Sequence, residues 1–150
     1  MKRGLFFLLG LVSIAAVASL GTSGAAQAAD DWFTPHCEIY AFDPYTENDV
    51  VAGWGQIHCM AGGDDWGARW WMEVCLQKWV RPDDQYYDVS CTYDWTSGEE
   101  RRVGGSLIAP KDCSLAGYGE YRIVVHSEWF VDYWHNSWAI SNVTWNCVGH

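Results

Sequence analysis

The stretch that decides the fold is residues 68–80, ARWWMEVCLQKWV. A strand that covers a core on one side has apolar residues at alternate positions, because successive side chains point to opposite faces. In this stretch the even positions and the odd positions are both largely apolar. The even positions hold Trp70, Met72, Val74, Leu76 and Val80, and the odd positions hold Trp71, Cys75 and Trp79. We therefore expect one face to cover a core and the other to contact something else.

The turn-forming sequence RPDDQ at residues 81–85 predicts a hairpin with the strand that follows. A loop over these residues sets Cys75 opposite Cys91, and directly opposed side chains share a face. The same register gives the pairs Trp71–Trp95, Glu73–Tyr93, Lys78–Asp88 and Trp79–Tyr87. A register shifted by one residue is an alternative, but it places the two cysteines on opposite faces.

The first register predicts that the odd positions of residues 68–80 face the core. It leaves an apolar stripe on the other face, which we predict to be a partner-binding surface formed by Trp70, Met72, Val74 and Leu76. Internal cover by residues 103–108 is the alternative explanation for this stripe.

The rest of the chain also favours strands, because Trp, Tyr, Val, Ile and Thr are abundant and no long stretch has apolar residues at helical spacing. The predicted strands are 36–42, 50–60, 68–80, 86–95, 102–108, 119–130 and 137–147. Seven short strands separated by turn-rich segments predict an all-β protein, a disulfide-stabilised antiparallel β-sandwich.

Residues 1–28 have the organisation of a secretory signal peptide. Lys2 and Arg3 precede an apolar run over residues 5–20, and the segment ends in Ala26-Gln27-Ala28. We predict a single mature domain, residues 29–150, that is secreted and extracellular. Loss of two basic residues with the signal leaves seven Lys and Arg against nineteen Asp and Glu, a net charge of −12. This acidity argues against nucleic acid and anionic membrane as partners.

All six cysteines lie in the predicted mature domain, and an even number in a small exported protein indicates three disulfides. Hairpin geometry favours the pairs Cys37–Cys59, Cys75–Cys91 and Cys113–Cys147. A rival pattern joins Cys59 to Cys75 and Cys37 to Cys91. No Cys or His cluster has the spacing of a metal site, so no metal or cofactor is predicted.

The sequence contains no recognised catalytic motif in its predicted mature part. Glu73 is the one candidate general acid, because Trp71 and Tyr93 would flank it. A carboxylate-based hydrolase needs a second carboxylate, for which Glu128 and Asp88 are candidates.

Two acidic loops are candidate calcium ligands, since calcium binds converging oxygen atoms. The candidates are Asp43, Glu47 and Asp49 in the first loop and Asp64 and Asp65 in the second. Neither loop has the ordered spacing of a known calcium motif.

Eleven tryptophans are the strongest anomaly of the composition. Indoles fill cores, anchor protein interfaces and stack on sugar rings. From their alternation we expect Trp54, Trp71, Trp79 and Trp145 to lie in the core. Trp32, Trp66 and Trp134 lie in predicted loops or near the mature terminus and have less obvious structural roles.

The segments VCLQKWV, YYDVSC and GEYRIVVHSEW, after an Ala-rich signal, resemble the small multi-cysteine secreted β-proteins of actinobacteria. Some proteins of that kind are adaptor subunits of secreted toxin particles. The resemblance implies an exported β-protein, and most proteins of this kind have no assigned activity.

We therefore predict a non-catalytic binding module for a protein partner. The alternatives are a glycan- or cell-wall-binding module that uses exposed tryptophans, a toxin-particle adaptor and, last, a carboxylate hydrolase. A protein-binding surface should be a continuous apolar stripe, a glycan-binding surface should have separated coplanar aromatics above polar residues, and a hydrolase should have two facing carboxylates in a cleft.

Overall fold

A computed structural model of the protein describes residues 34–149. Two antiparallel sheets pack against each other, so the predicted all-β sandwich is confirmed. The predicted signal peptide, its boundary with the mature domain and Trp32 lie outside the described residues.

Ten strands and one short helix follow one another in the described part of the chain. In order they are β1 (His36–Ala41), β2 (Tyr45–Glu47), β3 (Val50–Ala61), β4 (Asp64–Asp65), β5 (Arg69–Val80), β6 (Gln85–Trp95), β7 (Gly104–Asp112), α1 (Cys113–Ala116), β8 (Gly119–Phe130), β9 (Trp134–Ile140) and β10 (Thr144–Asn146). The predicted strand 137–147 is two strands, β9 and β10. Over residues 34–149, no helix is long and apolar enough to cross a membrane.

The first sheet is built around β3, which pairs with β1 and β2 along one edge and with β7 and β4 along the other. The second sheet has the order β6, β5, β8, and the far edge of β8 pairs with β9 and then with β10. Since β5 and β8 are central in the second sheet, their inner faces supply most of the core from that side.

The core face of β5 is its even face, so the prediction that the odd face covers the core is wrong. Four even side chains are buried and form part of the core cluster: Trp70, Met72, Val74 and Leu76. They are therefore core residues and not the partner-binding surface expected from the sequence. The alternative of internal cover is what the structure shows.

Strand β7 supplies part of that cover. A β-carbon added to Gly105 would lie 2.7 Å from the indole of Trp70, so the ring packs directly on the glycine backbone. A glycine on β3 also lets side chains of the second sheet pack directly on its backbone. A β-carbon at Gly55 would lie 2.7 Å from Val74 and 2.5 Å from Val125. The two sheets approach closely because β3 and β7 have glycine at these facing positions.

The predicted register of β5 against β6 is confirmed from Trp71–Trp95 through Cys75–Cys91. A β-bulge between Leu76 and Gln77 then shifts the pairing by one residue. The last predicted pairs are therefore wrong: Trp79 is opposite Tyr86, and Lys78 is opposite Tyr87. A bulge inserts an unpaired residue into one strand, which hairpin arithmetic does not anticipate.

The three predicted disulfides are confirmed: Cys37–Cys59, Cys75–Cys91 and Cys113–Cys147. The first two bridge neighbouring strands within one sheet. The third connects α1, which follows the first sheet, to the residue after β10 in the second sheet. It therefore ties the two sheets together, and both of its cysteines are fully buried.

Candidate functional site

The outer face of the second sheet holds six of the tryptophans. They lie on β5, β6, β9 and β10 and are Trp71, Trp79, Trp95, Trp134, Trp138 and Trp145. This corrects the expectation that Trp71, Trp79 and Trp145 belong to the core. Each of these three is on a strand whose opposite face is the buried one.

The remaining described tryptophans lie elsewhere. Trp54 was expected in the core but is 45% exposed on the outer face of the first sheet. Trp66 packs against the core, where Trp70 and Trp129 are buried. Trp134 is on β9 and not in a loop.

Five rings form a continuous band across four strands of the second sheet, which we call the aromatic band. Its members are Trp138 on β9, His126 on β8, Trp71 on β5, and Trp95 and Tyr93 on β6. The alternation of each strand places these residues on the outer face, and the strand register places them side by side.

Ring contacts connect Trp138, His126 and Trp71, and Trp95 with Tyr93, while the strand register joins Trp71 to Trp95. Trp138 stacks on His126 with centroids 3.9 Å apart and planes 6° apart, and His126 meets Trp71 edge-on at 5.2 Å. Trp71 is directly opposite Trp95, which stacks on Tyr93 at 5.7 Å. Three members remain largely open to solvent: Tyr93 is 61%, Trp95 51% and Trp138 59% exposed.

Two carboxylates accompany the aromatic band. Glu73 lies between His126 and Tyr93 in the strand register, and Glu128 is opposite Trp71. Within residues 34–149 neither carboxylate makes a hydrogen bond or an ion pair. Asp94 on the inner side of β6 is different, because Arg102 binds it at 2.9 Å. The aromatic band therefore has two carboxylates beside its exposed rings, and neither carboxylate has an intramolecular hydrogen-bond or ion-pair partner within residues 34–149.

A hollow of about 210 Å³ adjoins the aromatic band and contains two of the carboxylates considered for hydrolysis, Glu73 and Asp88. The Gln77 amide donates to Asp88 at 2.8 Å, and its carbonyl accepts from Arg122 at 2.9 Å. Asp88 is thus held in a side-chain network, which leaves Glu73 as the unengaged carboxylate of the hollow. Glu128, the other candidate, is not among the residues that line it.

Glu73, Cys75 and Cys91 are the group of potential metal ligands in the described part of the chain, with ligand atoms within 4.8 Å of one another. The two sulfurs are joined as a disulfide, whereas a metal needs thiolates. This cluster is therefore unsuited to a metal ion.

The two acidic loops have other contacts. The Asp43 carboxylate accepts from the backbone and side chain of Asn142 at 2.9 and 3.2 Å, which anchors the first loop to the segment before β10. Asp65 lies 3.1 Å from His58. Among residues 34–149, neither loop brings three ligand side chains to one point.

The outer face of the first sheet has a smaller aromatic group, in which Phe42 meets Trp54 edge-on at 4.8 Å. Ile108 is opposite Trp54 in the register. These residues are exposed to a similar degree as the aromatic band. They provide a matched surface on the opposite side of the molecule.

No protein-family model matches the sequence, and no curated protein matches it either. The functional conclusion therefore depends on the geometry of the outer face. Of the aromatic band, the predicted register pairs Trp71 with Trp95 and Glu73 with Tyr93 correctly, but it turns these side chains towards the core. No role is predicted from the sequence for His126 and Trp138. Trp134, Trp138 and Ile140 recur at even positions of β9, with polar Asn136 between them, and this spacing is the sequence signal for a largely apolar row on one face of the strand.

Proposed function

We propose that this protein is a secreted, non-catalytic binding module that docks a protein partner on the aromatic band. The observation that carries the proposal is the continuity of the band from β9 to β6. Exposed Trp and Tyr clusters are the usual hot spots of protein interfaces. An isolated aromatic residue on a surface needs no explanation, but a contiguous patch of several rings marks an interaction site.

The arrangement of the rings favours a protein over a polysaccharide at this position. His126 and Trp71 meet at an interplanar angle of 78°, so the band is not a flat platform. Sugar rings stack on coplanar, spaced indoles, whereas edge-to-face clusters offer crevices for side chains. The band matches the continuous stripe expected of a protein-binding surface.

The partner is expected to present Arg or Lys to the aromatic band. Glu73 and Glu128 flank the band without intramolecular partners, and the whole chain has a formal net charge of −10. A guanidinium or ammonium group from the partner can lie over an indole and pair with a carboxylate in one approach. A basic segment with aliphatic neighbours fits this chemistry.

Export supports the same proposal. Three disulfides suit an oxidising compartment outside the cytosol. The predicted signal peptide would deliver the protein there. A secreted module would then meet its partner in the medium or on a cell surface.

The test is binding with the purified partner. The exported protein is immobilised, incubated with culture supernatant, and the retained proteins are identified by mass spectrometry. A retained protein is then purified and titrated against wild type and variants by calorimetry. We expect Trp95→Ala and Trp138→Ala each to weaken binding by about thirtyfold or more, the effect of losing an interface anchor of about 2 kcal/mol.

Trp54→Ala is the matched control, because it removes an exposed indole from the other sheet. It should leave the affinity unchanged. Glu73→Gln combined with Glu128→Gln should slow association and reduce its dependence on salt. Equal losses in Trp54→Ala and Trp95→Ala, or wild-type affinity in both band variants, would rule out this docking surface.

A further inference from the structure

A second concave site lies at the opposite end of the same outer face, where β5, β8 and β10 meet. It is a cleft of about 330 Å³, which we call the end cleft. Its lining residues are Lys78, Trp79, Arg81, Tyr118, Gly119, Glu120 and Trp145. The row formed by Arg122, Gln77 and Asp88 and the Cys75–Cys91 disulfide separate the end cleft from the aromatic band.

The tryptophans of the end cleft each pack against a neighbouring aromatic ring. Trp145 stacks on Tyr118 with centroids 5.2 Å apart, and both rings are about half exposed. Trp79 meets Tyr86 edge-on at 4.9 Å, and the Arg122 guanidinium lies 3.8 Å from the centre of the Tyr86 ring. The two aromatic walls therefore have different supports, Tyr118 for Trp145 and Tyr86 for Trp79.

Lys78 supports the end cleft from below. Its ammonium donates to the carbonyls of Ala116 and Gly117 at 2.5 and 3.2 Å, at the end of α1. The side chain reaches them by passing over Gly119, where a β-carbon would lie 2.7 Å from its Cε. Lys78 thus fixes the segment that leads into Tyr118, and these two carbonyls occupy two of the three donors of its ammonium.

Arg81 and Glu120 are the polar groups left for a ligand. In the part of the chain that the structure describes, neither side chain makes a hydrogen bond or an ion pair. Arg81 is a cation and Glu120 an anion, so a ligand in the end cleft meets free charged groups of both signs. A neutral ligand with several hydroxyl groups satisfies both of them at once.

We propose that the end cleft binds a neutral hexopyranose, either free or as the terminal unit of a glycan. The apolar face of a pyranose packs on an indole, and neighbouring hydroxyls suit the two oxygens of a carboxylate and the forked donors of a guanidinium. Separated indoles that share a cleft with unpaired polar side chains suit the mixed apolar and polar surface of a sugar. The volume of the end cleft is at the small end of the range of ligand sites, about 300–1,000 Å³.

The experiment follows the indole N–H signals of the uniformly ¹⁵N-labelled protein by NMR. The probes are the methyl glycosides of glucose, galactose, mannose and N-acetylglucosamine, each titrated separately. We expect at least one probe to shift the signals of Trp79 and Trp145, while the signals of Trp95 and Trp138 stay in place. Trp79→Phe and Trp145→Phe assign the two indole signals.

Variants define the site further. Trp145→Ala should abolish the shift of the Trp79 signal, and Glu120→Gln should weaken the sugar about tenfold, as expected for the loss of a charge-assisted hydrogen bond. Trp95→Ala should bind the sugar as wild type does. Absence of any shift with all four probes, or an undiminished shift in Trp145→Ala, would overturn the proposal.

Failure here is separable from failure of the proposed protein docking. Trp145→Ala should keep full affinity for the protein partner, since the end cleft lies apart from the aromatic band. Loss of both ligands in the same variant would contradict the assignment of two distinct sites.

Discussion

Trp70 and Trp71 are consecutive residues whose indoles lie on opposite faces of the second sheet. Trp70 is 1% exposed and packs on the backbone of Gly105, whereas Trp71 contacts the His126 ring on the outer face. The same residue type thus supports the core at one position and a surface band at the next. Mutation should therefore separate stability from binding along a single strand.

Trp70→Ala is expected to destabilise the protein by about 3–5 kcal/mol, because it removes a fully buried indole and leaves a cavity between the sheets. Urea denaturation of the purified protein measures the change. Trp95→Ala, on an exposed position of the neighbouring strand, should change the free energy of unfolding by no more than about 0.5 kcal/mol. Similar losses in the two variants would contradict the assignment of Trp70 to the core.

Gly105→Ala tests the contact between β7 and the Trp70 indole. The added methyl would lie 2.7 Å from the ring, so we expect a loss of about 1–3 kcal/mol from overpacking. In the background of Trp70→Leu the same change should cost less, because the smaller side chain leaves room for the methyl. A double-mutant cycle measures this coupling, and strictly additive effects would show that the two residues do not press on each other.

The fold class, the disulfide pairs and the first half of the hairpin register are predictable from the sequence. The register has a simple physical reason. Cysteines that pair across a hairpin must lie opposite each other, so Cys75 and Cys91 determine how β5 and β6 align. They do not determine which side of the sheet is buried. The disulfide is on the outer face, where Cys91 is exposed.

The buried side of β5 depends on β8, its other neighbour. Along β8 buried and partly exposed residues alternate strictly, with Tyr121, Ile123 and Val125 inside. That pattern is visible in the sequence, but the pairing of β5 with β8 joins segments about fifty residues apart and has no local signal. The aromatic band and the end cleft depend on the same long-range pairings, so local sequence patterns do not reveal them.

Mild reduction should open the three disulfides in a defined order. Cys91 is exposed, whereas both cysteines of Cys113–Cys147 are fully buried. Thiolate attack requires access to a sulfur, so Cys75–Cys91 should be reduced first. Alkylation of the new thiols followed by peptide mapping gives the order. Early labelling of Cys113 or Cys147 in otherwise folded protein would contradict it.

Removal of individual disulfides should also differ in cost. Cys75→Ser with Cys91→Ser opens a loop of 16 residues, and Cys113→Ser with Cys147→Ser opens one of 34. Chain entropy gives losses of about 3 and 4 kcal/mol. The loss of stability in Cys113→Ser with Cys147→Ser should be larger than chain entropy alone gives, because these substitutions also leave polar hydroxyls in the core between the sheets. Chemical denaturation compares the two variants, and a smaller loss for the buried bridge would oppose its role in joining the sheets.

Alkaline pH should destabilise the protein through Tyr121. Burial raises the pKa of its phenol from 10.0 to about 12, and the hydroxyl donates to the carbonyl of Gly117. Below pH 10 the phenol is neutral in both the folded and the unfolded protein, so its contribution to stability is complete. As the pH rises from about 10 towards 12, the unfolded chain loses this proton first, and the free energy of unfolding falls by about 2–3 kcal/mol.

Urea denaturation at a series of pH values measures the slope. Tyr121→Phe should flatten it, whereas Tyr133→Phe, at an exposed tyrosine, should retain it. An unchanged slope in Tyr121→Phe would assign the alkaline loss to other groups.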